Sequence, residues 1–369
     1  MVSDDWSAWL RLTATSGIGP AYARRLLRTF GSPEAIFSAS FSAIAAVVGQ
    51  RLAESLLTPS QACTDLLDVT GSWLSADARR YFVPLGDPRY PSALLQTEDP
   101  PLVLYVQGQV TALQAPRMLA MVGSRNPTPQ GLANAHAFAR SLGEAGVCVV
   151  SGLALGIDGA AHEGALSGAG MTVAVVGTGL DRVYPKRHLS LAHRIAEHGA
   201  LVSEFPIGTP PLAPHFPQRN RIIAGLTQGT LVVEAALKSG SLITTDHALQ
   251  MGREVFAIPG SIHAPQSKGC HALIRQGAKL VESAQDVLEE LRWHASEPAV
   301  SIETRPSETL ETRESALLQA LGYDPCSLDR LQARTGLDTA TLQVQLLELE
   351  LSGEVSRLPG GQFQRCVTA

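Results

Sequence analysis

Residues Met118–Gly177 read MLAMVGSRNPTPQGLANAHAFARSLGEAGVCVVSGLALGIDGAAHEGALSGAGMTVAVVG, and this stretch decides the fold. Three short apolar runs, MLAMV, VCVV and TVAVV, each end at a glycine or a Ser-Gly pair. Between them lie two stretches with helical spacing, over about 130–145 and 157–168. The runs are rich in Val and Ala and apolar on both faces. That pattern marks strands of a parallel sheet covered by helices on both sides.

The alternation continues to about Trp293. A helix near 188–198, then LVSEF, TLVVEA, a helix near 241–251, EVFAIPG and KLVES follow in turn, with a last helix after them. Residues 86–293 are therefore expected to form an α/β unit: a Rossmann-like, doubly wound, mostly parallel sheet of six or seven strands.

The flanks differ. Over residues 1–85, AYARRLLRTF, LAESLL and ACTDLLDV repeat with helical period, and Gly17, Gly19, Pro20 and Ser32-Pro33 mark turns and caps. A compact helical domain is expected there. Its Gly17-Ile18-Gly19 turn resembles that of a SAM/helix-hairpin-helix domain, whose backbone N–H groups either touch a phosphate without reading sequence or serve packing alone. The link VPLGDPRYPSALLQTEDPPLVLYVQG has five prolines and ends in a β-like run, LVLYV. Residues 294–310, rich in Ser, Thr, Glu and Pro, read as a linker. Residues 311–369 hold three short helical stretches and a Gly-turned hairpin, the pattern of a winged helix.

Composition limits function. The 369 residues are 45% apolar and 17% charged, enough for sizeable cores and too little charge for a disordered chain. No run approaches the roughly 18–20 apolar residues of a membrane helix, and MVSDDWSAWLRL lacks a secretory pattern. The five cysteines are scattered, without CxxC or Cys/His clusters, so neither a disulfide framework nor a structural zinc is expected. Cys148, inside VCVV, reads as a small buried hydrophobe. These features place the chain in the cytoplasm and away from membranes. Residues 1–85 hold seven Lys/Arg and seven Asp/Glu, residues 86–293 sixteen of each, and residues 294–369 six against eleven. The formal charge of −5 thus sits in the C-terminal module. Nucleic acid, if bound, is met by a local patch and not by a global field.

In open α/β sheets ligands sit beyond the carboxyl ends of the strands, so the turns there carry the chemistry. Gly123-Ser124-Arg125-Asn126 offers backbone N–H groups and a guanidinium to a phosphate, without the further glycines of a dinucleotide fingerprint. Ser151-Gly152-Leu153-Ala154-Leu155-Gly156-Ile157-Asp158 is a second anion-compatible turn, with Asp158 expected as a helix N-cap. Tyr184-Pro185-Lys186-Arg187-His188 sets one of only four lysines in a basic cluster, a candidate phosphate clamp. Phe216-Pro217-Gln218-Arg219-Asn220-Arg221 precedes an apolar helix. Its two arginines either bind phosphate or brace the sheet through carboxylates such as Glu204 or Glu234. Lys238-Ser239-Gly240-Ser241 opens a helix with hydroxyls in its first turn, another anion site. Together these turns predict a groove for several phosphates, with Arg125 and Lys186 as its charged anchors. Aromatic residues make up only 5% of the chain, so extensive base stacking is not expected. Walker, zinc-protease and triad patterns are all missing.

Taken together the motifs resemble the DNA-processing protein A (DprA, also called Smf) family. The resemblance runs through LGDPRYPSALL, VGSRNPTPQG, SGLALGIDGAAHEGAL, VVGTGLDRVYPKRH, LVSEFPIGTPP, FPQRNRIIAGLTQGTLVVEA, SGSLITTDHALQMGREVFAIPGSI and GCHALIRQGAKLV, over about 85–292. It implies a non-enzymatic protein without cofactor or metal. Such a protein binds incoming single-stranded DNA during natural transformation, protects it, and loads RecA recombinase onto it as a homodimer built through the Rossmann-like domain. By position, Arg125 and Lys186 match the family's main DNA-contacting cations, and Gly123, Ser124, Gly152, Gln218, Asn220, Gly240 and Ser241 lie in matching loops. Leu155 departs from the family pattern, where many members carry Arg. The competing reading is a Rossmann-like nucleotide phosphoribohydrolase, with Glu234 in its catalytic position. Here Glu234 falls one residue late and the double glycine is absent. A nucleotide-sensing module is a third reading.

Overall fold

The computed structural model describes residues 6–293 and 316–366. The expected linker 294–310 and the first residues of the module at 311–369 lie outside the described residues. Six helices open the chain: α1 (Trp6–Ala14), α2 (Pro20–Phe30), α3 (Pro33–Ser38), α4 (Phe41–Val48), α5 (Gln50–Leu57) and α6 (Gln61–Ser75). Ser32, Ser40 and Ser60 cap α3, α4 and α6 by accepting backbone N–H groups, so polar residues punctuate what is otherwise an apolar run.

The sheet begins earlier than the composition break at residue 85. Strand β1 (Arg80–Pro84) follows α6 closely, then come the short helix α7 (Ser92–Leu95) and β2 (Val103–Gly108). The alternating part runs β3 (Met118–Val122), α8 (Pro129–Glu144), β4 (Cys148–Ser151), α9 (Ile157–Ser167), β5 (Thr172–Val175), α10 (Leu189–His198) and β6 (Ala200–Ser203). It continues with α11 (His215–Leu226), β7 (Gly229–Val232), α12 (Ser241–Gln250), β8 (Glu254–Ala257), α13 (Lys268–Arg275), β9 (Lys279–Leu280) and α14 (Ala284–Glu290). The strand order is β1-β2-β6-β5-β4-β3-β7-β8-β9. From β6 to β9 all pairs are parallel, and these seven are the expected strands. The strands β1 and β2 add two antiparallel pairs at one edge, which makes nine strands in all.

Period-two alternation sorts the core. Met118, Ala120, Val122, Val150, Val173 and Val175 face one layer with Ile222, Ile223 and Ala248 of α11 and α12. Leu119, Met121, Val149 and Leu231 face the other, against Ala135, Phe138, Ala161 and Val287 of α8, α9 and α14. Cys148 is buried as expected, and burial pushes its thiol up to about 12, so it stays protonated at neutral pH. The helical domain shares a third core with the β1–β2 edge, where Trp73, Phe82 and Tyr105 meet edge to face. Arg24 of α2 also pairs with Asp99, the turn leading into β2, at 2.5 Å.

The C-terminal module is a winged helix: α15 (Ala316–Leu321), β10 (Cys326–Ser327), α16 (Leu328–Thr335), α17 (Thr339–Leu351), β11 (Val355–Leu358) and β12 (Gln362–Arg365). Its strands are ordered β10-β12-β11, and Leu331, Leu342, Leu346, Val355 and Phe363 form its core. The β11–β12 hairpin turns at Gly360 and Gly361, both at positive φ, which glycine adopts without Cβ strain. Among the described residues no helix is long and apolar enough to cross a membrane.

Candidate nucleic-acid interface

The chain builds the sheet outward from β3 to β6, then returns to lay β7 on the other side of β3. The crevice at that reversal is where open α/β sheets bind ligands. A cleft of about 390 Å³ lies there, beyond the carboxyl ends of β3 and β7. Gly123, Ser124 and Arg125 form one wall, Asn220 and Phe216 of α11 a second, and Lys238, Gly240 and Ser241 a third. Six of the nine sequence-predicted residues are thus brought together.

Backbone bonds fix the first wall. Ser124 donates its N–H to the Glu234 carbonyl at 2.7 Å and accepts from Ile157 N–H at 3.1 Å, which ties β3, β7 and α9 at one point. A Cβ on Gly123 would lie 2.7 Å from Ile157 and 2.9 Å from the Glu234 carbonyl, so this close packing requires glycine. Arg125 is exposed, and its guanidinium carbon lies 5.7 Å from the Phe216 ring centroid. On the third wall, Asn220 Nδ2 donates to the Gly240 carbonyl at 3.4 Å and the Ser239 and Ser241 hydroxyls meet at 2.6 Å. A Cβ on Gly240 would meet nothing within 4 Å, so protein packing does not explain a glycine there.

The other three predicted residues fall elsewhere. Gly152 is buried beneath the cleft and its N–H is already donated to Asp158 at 3.2 Å, so it offers no amide to a ligand. A Cβ at 152 would run into the Arg219 guanidinium. Gln218 is exposed on α11 outside the cleft lining. Lys186 is exposed in the 3-10 turn Lys186–His188, also outside the lining. It connects to the cleft through Tyr184, which is 49% exposed and whose ring centroid is 5.6 Å from that of Phe216. Neither Arg125 nor Lys186 makes an ion pair among the described residues.

Several polar residues serve the scaffold instead. Asp158 is not the N-cap of α9: Gly156 holds that position, and the Asp158 carboxylate accepts from Gly152 and Ala154 N–H groups across the turn. Arg219 lies inside α11, buried, donating to the Val175 carbonyl and facing Asp158 at 4.0 Å. Burial raises the Asp158 carboxyl and lowers Arg219 to about 10, still charged at neutral pH. Arg221 pairs with Glu204, and donates to the Asp99 carbonyl at 2.5 Å. Of the two roles open to these arginines, both brace the sheet, with Asp158 and not Glu234 as the partner of Arg219. His188 uses Nδ1 against the Leu153 carbonyl at 3.0 Å, so it braces the clamp turn.

Glu234 points away from the cleft. Its carboxylate accepts from Thr128 N–H at 3.0 Å and Thr128 Oγ1 at 2.6 Å, at the start of α8. Thr128 in turn caps that helix by accepting from Gly131 N–H. Burial holds the carboxyl above its usual range, against the two Thr128 bonds. Phe216 and Tyr184 are aromatic residues at or beside the cleft that sequence reasoning did not single out. Phe216 lies beside Arg125, and its ring meets that of Tyr184.

Comparison with known proteins bears on this architecture. The model of the family DNA recombination-mediator protein A matches residues 81–292, the DprA winged helix domain 301–361, and the SAM-like helix-hairpin-helix tandem 10–58. Protein Smf of Escherichia coli is 41% identical over 368 residues, spanning 97% of this chain and 95% of that protein. DNA processing protein DprA of Streptococcus pneumoniae is 48% identical over 207 residues, 56% of this chain and 73% of that protein. Among solved structures, DNA processing protein A from Streptococcus pneumoniae superposes with a TM-score of 0.65 at 38% identity, covering 76% of this chain and 95% of that one. DNA processing protein A from Helicobacter pylori, studied for its single-stranded DNA binding mode, gives 0.53 at 30% identity, covering 57% and 96%.

Proposed function

The chain belongs to the DNA recombination-mediator protein A family, and from that premise we propose that its cleft grips single-stranded DNA, which it protects and passes to RecA during natural transformation. The observation that carries the proposal is the pairing of exposed Arg125 with Phe216 at the strand-order reversal, open toward Tyr184 and Lys186. Cations without an ion-pair partner among the described residues meet phosphates, and the two rings offer π-faces to bases of any identity. A duplex hides its base faces in stacks, so this arrangement favours single strands and reads little sequence.

Contacts are few per protomer, which makes one site weak. A homodimer doubles the grip and gains affinity through effective concentration. The surface that suits dimerisation is the apolar patch at the β9 edge, where Leu237, Ile262 and Leu280 are 60, 67 and 50% exposed. Ile262→Glu with Leu280→Glu should yield a monomer in sedimentation velocity. A dimer that survives the substitutions contradicts the role given to that edge.

The protein acts in the cytoplasm without cofactor and without covalent chemistry. Against a phosphoribohydrolase stands Glu234, whose two carboxylate oxygens are engaged by Thr128 outside the cleft. Incubation with nucleoside monophosphates should release no free base. RecA loading is tested by the lag of DNA-dependent ATP hydrolysis by RecA on single strands. The lag should shorten with this protein present and stay unchanged with the Arg125→Ala, Lys186→Ala variant.

A further inference from the structure

Helix α17 is apolar on two faces. Leu342 and Leu346 point into the winged-helix core and are buried. On the opposite side Val344, Leu347 and Leu351 are 58, 56 and 81% exposed, with Ala340 exposed in line with them. A winged helix needs only the inner stripe to fold, so the outer one is unexplained by this module's packing. The spacing of 340, 344, 347 and 351 alternates by four and three residues, the a/d seam of a coiled coil. With 344 and 351 at a and 340 and 347 at d, the flanking e and g positions of the last heptad are Glu348 and Glu350. Neither makes an ion pair among the described residues, and α17 carries no Lys or Arg.

We propose that the outer face of α17 docks a basic amphipathic helix of a partner protein, its apolar seam laid on Val344, Leu347 and Leu351 and its Lys or Arg side chains on Glu348 and Glu350. Helix-in-groove and coiled-coil recognition both read such a stripe. The flanking charges select the occupant. A second copy of α17 brings no Lys or Arg to Glu348 and Glu350, so self-pairing leaves both carboxylates without a partner. Nucleic acid is disfavoured by the same two carboxylates. Residues 294–369 hold six basic against eleven acidic residues, so the wider module favours a cationic partner too.

The test uses the full chain and a synthetic helical peptide with Leu at a and d and Lys at e and g. Two controls accompany it: the same peptide with Glu at e and g, and a scrambled basic peptide of identical composition. The basic heptad peptide should bind at least about tenfold more tightly than either control. Leu347→Ser with Leu351→Ser should weaken that binding at least about tenfold while thermal unfolding stays unchanged, because both side chains are exposed. Glu348→Lys with Glu350→Lys should reverse the preference toward the acidic peptide. Equal binding of the scrambled peptide, or indifference to the serine variant, overturns the proposal. So does loss of self-association in the serine variant, which would make the seam a contact between copies.

Discussion

Arg219 and Asp158 form a buried ion pair beneath the cleft, 4.0 Å apart, with side chains 5 and 11% exposed. Asp158 also holds the Gly152 and Ala154 amides, and Arg219 holds the carbonyl at the end of β5. The pair therefore sets the floor on which the Gly123–Arg125 wall stands. Removing one partner strands the other charge in the interior. Arg219→Met should cost about 3–5 kcal/mol in urea unfolding. A loss below about 1 kcal/mol would mean the pair contributes little to the floor.

Two glycines in the predicted set should respond in opposite ways. Gly152→Ala places a methyl against the Arg219 guanidinium and should destabilise the fold by about 1–3 kcal/mol. Gly240→Ala meets open space at φ −63° and should leave stability within about 0.5 kcal/mol. If a phosphate rests on the Gly240–Ser241 turn, single-strand affinity should nonetheless fall in Gly240→Ala. Unchanged affinity would remove that turn from the interface.

Phe216→Ala should weaken single-strand binding by about 1–3 kcal/mol, the range for one base–aromatic stack. Phe216→Tyr should retain most of it. The salt dependence of binding should not change in either variant, since no phosphate contact is lost. A flatter salt slope in Phe216→Ala would show that the ring acts by positioning Arg125 and not by stacking on a base.

Glu234 gives a pH test. Burial raises its folded-state pKa above the unfolded value of about 4.3, so the folded chain holds the proton more tightly. That stability is complete below the unfolded pKa and is lost as pH rises through the folded one. Glu234→Gln has no such titration. The unfolding free energy of the variant minus that of the wild type should therefore increase with pH across this window. A difference that is flat with pH contradicts the raised carboxyl.

The central parallel strands were legible because both faces of each run are apolar, whereas β9 (Lys279–Leu280) is exposed. Strand β1 was not: RYFVP is short, follows a helix and ends in proline, and only its pairing with β2 makes it a strand. Helix α11 begins at His215, ahead of Arg219 and Arg221, because Pro217 sits in a first turn where no N–H is needed. The walls of the cleft were legible as strand-end turns. Its floor was not, since Gly152 as a ligand contact and Gly152 as room for Arg219 look alike in sequence. Nor was the Phe216–Tyr184 pair, one on α11 and the other on the loop after β5, which meet only in the fold.

The central claim is that Arg125 and Lys186 grip phosphates of a single strand. Fluorescence anisotropy with labelled oligo-dT and with its duplex, at low and moderate salt, tests it most directly. The wild type should prefer the single strand. Arg125→Ala with Lys186→Ala should lose that preference, and the slope of log K against log salt should flatten by about 0.7 per lost phosphate contact. Equal binding to duplex, or a double variant that binds as the wild type does, would contradict the account.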